Sequence, residues 1–151
     1  MLRARHLILC CGLLPIACTT THPPALEIPG EPADKIIYPA PETSPAVVKL
    51  LNQARTATQQ GQLQRAEALL ERTVRIEPRN PTLWHYLAKL RLHQGRLQEA
   101  MGLAAKSNAL AGNNRKLKAD NWRIIAHARY QKGDVYGAKE AQAKADAITN
   151  P

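Results

Sequence analysis

The sequence has no phenylalanine, and aromatic residues are only 4% of its 151 positions. Hydrophobic residues reach 44%, enough for a packed core, so that core must be largely aliphatic. Three cysteines are too few for a multi-disulfide scaffold. The longest apolar run, Leu7 to Ala17, has eleven residues, whereas a membrane-spanning helix needs about 20. There is no serine nucleophile elbow, phosphate loop, HExxH pair or paired cysteine set for zinc. No catalytic residue, cofactor or metal site is therefore expected. The length suits a single domain. A surplus of 21 basic over 12 acidic residues, +9 in all, suggests an anionic partner, but this charge is unevenly placed.

Residues 1–17, MLRARHLILCCGLLPIA, combine Arg3 and Arg5 with the short apolar run, the pattern of a secretory signal peptide. Leu14-Pro15-Ile16-Ala17-Cys18 resembles a bacterial lipobox. Ala17 and Cys18 fit it; Pro15 and Ile16 depart from it. The resemblance implies cleavage before Cys18, covalent lipid on that cysteine, and firm membrane attachment by several acyl chains. Thr19, in place of aspartate, implies sorting to the outer membrane, with the chain facing the periplasm of a Gram-negative cell.

Residues 18–45 hold seven of the eleven prolines, and Glu27, Glu31, Asp34 and Glu42 against a single Lys35. Such a proline density excludes helix and leaves polyproline-II-like or coil backbone. At ~3.1 Å per residue the segment could reach on the order of 80 Å. It reads as a spacer holding a domain away from a membrane. Ile36-Ile37-Tyr38 is its most apolar stretch.

From residue 46 the helical period appears, as in Leu63, Ala66, Leu69, Leu70 and Val74. Gln60-Gly61-Gln62-Leu63-Gln64-Arg65-Ala66 returns as Gln94-Gly95-Arg96-Leu97-Gln98-Glu99-Ala100, and again around Gly133 and Ala138. The glycines are 34 and 38 residues apart, and Trp84 and Trp122 are 38 apart. A helical hairpin of period 34 resembles the tetratricopeptide repeat (TPR). The resemblance implies an all-α solenoid of three repeats over residues 46–149 (47–80, 81–118 and 119–149). Helices are expected at 46–59, 63–77, 81–94, 97–111, 117–132 and 135–148. Arg115-Lys116-Leu117-Lys118 is expected to lengthen the fifth at its start. Trp84 and Trp122 read as core wedges. Arg91 and Arg129 stand where the family usually has tyrosine, and Ala104 and Gln142 where it has an aromatic residue.

In such arrays the first helix of each repeat lines a concave groove. His85, Lys89 and His93 lie four apart and share a face, as do Arg123 and His127. Asn52, Arg55, His85, Lys89, His93, Arg123, His127, Tyr130 and Gln131 form the candidate protein-binding surface. His85 and His93 are ~12 Å apart by helix rise, too far to share a metal. The places of a peptide-carboxylate clamp hold Leu51, Arg55, Tyr86, Asp120 and Ile124, so only Arg55 could serve and such a clamp is disfavoured.

Residues 46–151 carry 18 basic and 8 acidic residues. Arg65, Arg72, Arg75 and Arg79 read as a solvent face offset by Glu67 and Glu71. Arg115, Lys116 and Lys118 form a basic patch with only Asp120 close by. Taken together, the segments resemble the TPR lipoprotein activators of class A penicillin-binding proteins. That implies a peptidoglycan-synthase partner and no nucleic acid. Two alternatives stand beside it. One is a scaffold or pilotin for outer-membrane protein, secretin or pilus assembly; the other is a binder of anionic cell-wall polymer through the basic patch.

Overall fold

The computed structural model describes residues 42–149, which lie within one compact unit. Residues 1–41, with the expected signal peptide, Cys18 and nearly all of the spacer, lie outside the described residues. Among the described residues there are six helices and no strand: α1 Pro45–Gln59, α2 Leu63–Ile76, α3 Pro81–His93, α4 Leu97–Leu110, α5 Arg115–Gln131 and α6 Val135–Thr149. Pro45, assigned from sequence to the spacer, is the first residue of α1. A helix tolerates proline there because that N–H has no intrahelical partner. No described helix is long and apolar enough to cross a membrane.

The helices pack as three hairpins, α1 with α2, α3 with α4 and α5 with α6, and α2–α3 and α4–α5 contacts join them in series. Each hairpin bends at one repeated motif. Gly61, Gly95 and Gly133 have φ of 71°, 71° and 82°. Each glycine N–H bonds the carbonyl three residues back, and the next residue's N–H bonds the carbonyl five back, as Arg96 does to Arg91 at 2.9 Å. This paired closure of a helix end needs a left-handed residue, which glycine adopts without strain. Space is open around Gly95, so the cost of a side chain there is conformational alone. Gly95→Ala is expected to lower stability by about 1 kcal/mol in chemical denaturation; an unchanged midpoint would contradict the motif's role.

The chain enters the domain through a polar clasp. Ser44 donates from its N–H and Oγ to Glu77 Oε1 at 2.9 and 2.7 Å. Asn80 Nδ2 donates to Glu77 Oε2 and to Thr43 Oγ1, both at 2.9 Å. Burial raises the Glu77 carboxyl's pKa, but the bonds from Asn80 and Ser44 outweigh it and hold the group below its ordinary value. Asn80 also caps α3, and Asn114 caps α5 by accepting the Leu117 N–H at 3.0 Å. That cap lets α5 begin at Arg115, two residues earlier than its expected start, so the four extra residues of the repeat become its first turn.

The core is aliphatic. Val47, Leu51, Leu70, Leu83, Leu87 and Leu90 fill the first half of the stack. Alanines with Ile124 and Ile125 fill the second. Ala66, Ala100 and Ala138, each one turn into the second helix of a hairpin, are buried. Trp84 and Trp122 differ from their expected role. Both are only partly buried against these clusters. Lys106 covers the Trp84 ring at 3.6 Å and Lys144 covers Trp122 at 4.6 Å. The Trp84 Nε1–H donates to the Pro78 carbonyl at 2.8 Å, which keeps that edge at the surface.

Candidate protein-binding groove

The first helices of the three hairpins, α1, α3 and α5, carry the candidate groove residues. Asn52, His93 and Gln131 are exposed, while Arg55, Lys89, Arg123, His127 and Tyr130 are half-buried. Half-burial of this kind holds the aliphatic or aromatic stem against the helices while the polar end reaches the surface layer. Gln131 Nε2 lies 2.8 Å from His127 Nε2, one turn away on α5.

His85 is the exception, being 1% exposed. Its Nδ1 lies 2.8 Å from Asn121 Oδ1. Asn121 Nδ2 donates to Ser107 Oγ at 2.8 Å and to Asn108 Oδ1 at 3.0 Å, and Ser107 Oγ donates to the Pro81 carbonyl at 2.8 Å. The amide oxygen therefore faces the imidazole, and His85 Nδ1 carries the proton. His85 is a strut joining α3 to α4 and α5 through this network, and not an open groove residue. The i, i+4 pattern placed it on one face of α3 with Lys89 and His93. It could not show that Asn121, from a neighbouring helix, closes over that end.

The charges also pair differently from their sequence neighbours. Glu67 and Glu71 do not serve the α2 arginines. They turn inward to Arg91, at 2.6 and 3.0 Å, and Glu99 approaches the same guanidinium at 3.3 Å. Arg96 adds a contact to Glu67 at 3.1 Å. Arg91 is 5% exposed, so the residue in the usual tyrosine place is a buried ionic node between α2, α3 and α4. Arg129 is only half-buried and stays within its own hairpin, bonding the Gly137 carbonyl at 3.0 Å with Asp134 and Glu140 near 3.9 and 3.8 Å. Both departures were visible in sequence four residues before a turn glycine, and that recurrence was the signal that could have exposed the node. Arg65, Arg72, Arg75 and Arg79 are left exposed without those carboxylates.

The basic patch divides as well. Arg115 and Lys116 are exposed and Lys118 is half-buried. The Arg115 Nε and Nη2 both donate to the Ile148 carbonyl, satisfying an end group of α6. Asp120 serves Arg123, with Oδ1 2.6 Å from Nη1, and among the described residues it makes no ion pair with the patch. Among the described residues no cluster of histidine, cysteine, aspartate and glutamate could hold a metal ion.

Three helical hairpins, closed by recurrent glycines and joined in series, define a tetratricopeptide-repeat protein, the class of protein-interaction modules. A tetratricopeptide-repeat family model matches residues 57–119. The globular C-terminal domain of Pseudomonas aeruginosa LpoP is 36% identical, with a TM-score of 0.67, and the match covers 70% of this chain and 99% of that one. The chain belongs to the tetratricopeptide-repeat family that LpoP represents. The N-terminal domain of Caenorhabditis elegans stress-induced protein-1 (15% identity, TM-score 0.64, 70% of this chain and 86% of that one) shares the fold. So does the Sgt2 TPR domain of Aspergillus fumigatus (23% identity, TM-score 0.63, 70% of this chain and 68% of that one). Among curated proteins none matches significantly.

Proposed function

We propose that this chain is an outer-membrane lipoprotein, anchored through lipid on Cys18, whose TPR domain activates a class A penicillin-binding protein and performs no chemistry itself. The observation that carries this reading is the likeness to the LpoP domain at 36% identity over 99% of its length. The lipobox-like Leu14–Cys18 and the proline-rich spacer support it, because a domain on a long spacer can act far from its anchor. In this reading the partner meets the groove at Arg55, Lys89, His93, Arg123, His127 and Tyr130, with Asn52 and Gln131 at its edge. Tyrosine and arginine are the residue types most enriched at the energetic centres of interfaces.

Adding the purified protein to a class A synthase from the same cell is expected to raise its rate of glycan polymerisation. Tyr130→Ala is expected to weaken the complex by on the order of tenfold or more. The proposal fails if the wild-type protein neither binds nor stimulates any class A synthase of that cell.

A further inference from the structure

The first helix of each later hairpin packs on the second helix of the hairpin before it, α3 on α2 and α5 on α4. α1 comes first and has no such neighbour among the described residues. With Gly61, Gly95 and Gly133 in register, Lys49, Gln53 and Thr56 of α1 fall where α3 has Leu83, Leu87 and Leu90 and α5 has Asn121, Ile125 and Ala128. Those residues of α3 and α5 are all buried, and the three of α1 are exposed. Polar residues on this face keep a terminal repeat soluble, but here they border a hollow. A groove of about 790 Å³ follows α1 from Pro45 to Gln60, with Val48 and Ala57 as apolar floor. Its charged lining residues, Lys49 and Arg65, are basic and exposed, and among the described residues no carboxylate lines it. Asn52, Gln53 and Gln60 add amides that both donate and accept.

The chain carries a matching segment at the edge of this groove. Thr43 lines the groove, and its bond from Asn80, with those of Ser44 to Glu77, pins the chain there. The residues just before it are Asp34-Lys35-Ile36-Ile37-Tyr38-Pro39-Ala40-Pro41-Glu42. Tyr38 and Ala40 each precede a proline, which favours extended backbone, and such backbone keeps its polar groups free for other partners. At ~3.1 Å per residue Ile36 reaches ~22 Å from Thr43 and Asp34 ~28 Å. α1 rises ~22 Å between Pro45 and Gln60, so the lengths agree.

We propose that residues 34–41 fold back along α1 as an extended strap and fill this groove, in the place that a preceding helix takes in the later hairpins. Ile36, Ile37 and Tyr38 cover Val48 and Ala57, the Asn52 and Gln53 amides bond the strap's backbone, and Asp34 meets Arg65. In an extended chain Lys35 projects away from the face that carries Asp34. The short connection to Thr43 gives an effective concentration in the millimolar range, so weak contacts suffice. The spacer then leaves the domain beside the α1–α2 turn instead of the start of α1, ~20 Å away. The inference stands apart from the synthase reading and survives its failure.

The test is nuclear Overhauser spectroscopy on the full chain, labelled in its methyl groups and tyrosine rings. Contacts from Ile36, Ile37 and Tyr38 to the Val48 and Ala57 methyls are expected. In a mixture of labelled and unlabelled chains they are expected to arise within one chain. Ile37→Asp abolishes them and shifts the backbone amides of Val48, Asn52 and Gln53, while those of α5 and α6 stay in place. Arg65→Glu, at an exposed position, lowers the docked population ratio about threefold without moving the thermal unfolding midpoint. Adding Asp34→Arg to that variant restores the contacts. Absence of any contact between residues 36–38 and α1 overturns the proposal, as does finding these contacts only on α3 and α5. Contacts that arise only between chains also overturn it, because they assign the groove to a second copy. Failure of Asp34→Arg to restore the Arg65→Glu variant overturns the register proposed for the strap.

Discussion

Replacing Arg91 with alanine is expected to lower the stability of the domain by about 3 kcal/mol. The guanidinium is 5% exposed and holds Glu67, Glu71 and Glu99 from the helices on either side. Removing it leaves these carboxylates facing one another around a cavity. The estimate is at the low end for a broken buried pair, because the Glu71 and Glu99 side chains are 45% and 49% exposed and water screens them. For a domain of this size the midpoint of thermal unfolding should fall by ~12 °C or more. A fall of under 2 °C would remove the node from any account of the fold.

The same variant should change the response to acid. The Glu67 carboxyl is held below its ordinary pKa by the Gln94 amide first; burial opposes this, and Arg91 and Arg96 reinforce it. A carboxyl depressed in the folded state stabilises above its unfolded pKa, and that contribution is lost as pH falls through the folded value. Wild-type stability should therefore decline as pH drops below the usual carboxylate range. Arg91→Ala should decline less steeply there, since part of the Glu67 depression has gone.

Asn121→Ala is expected to cost a similar amount, about 3 kcal/mol. The side chain is 0% exposed and bonds His85, Ser107 and Asn108 at once. Truncation orphans the His85 Nδ1–H and two acceptors in a region closed to water, and it opens a small void. The midpoint in denaturant reports the loss directly. A double-mutant cycle with His85→Ala should show strong coupling, the pair costing clearly less than the sum of the singles. A loss below 1 kcal/mol, or additive singles, would mean that the network does not hold the hairpins together.

These two sites differ in how far sequence could expose them. Arg91 stood out as a residue of the wrong kind in a recurring place, and Arg129 repeated it. Asn121 had no such mark, because an asparagine beside Trp122 reads as ordinary helix surface. The shared face of α3 was legible, since His85, Lys89 and His93 share a helical spacing. Which of them stayed open was not, because closure of the His85 end depends on a residue 36 positions away. The same limit explains Glu67 and Glu71. Their neighbours along α2 are arginines, while their partners are on α3 and in the following turn.

By itself, then, the amino-acid order determined the repeat. Gly61, Gly95 and Gly133 end helices because only a left-handed residue closes them there, and the alanine and leucine period sets which faces meet. Those are local properties of backbone conformation and helical spacing. Only the tertiary structure decided that His85 is a strut, that Arg91 gathers the acids of α2, and that Arg115 caps α6. Each depends on the distance between side chains of different helices, and packing alone sets that distance.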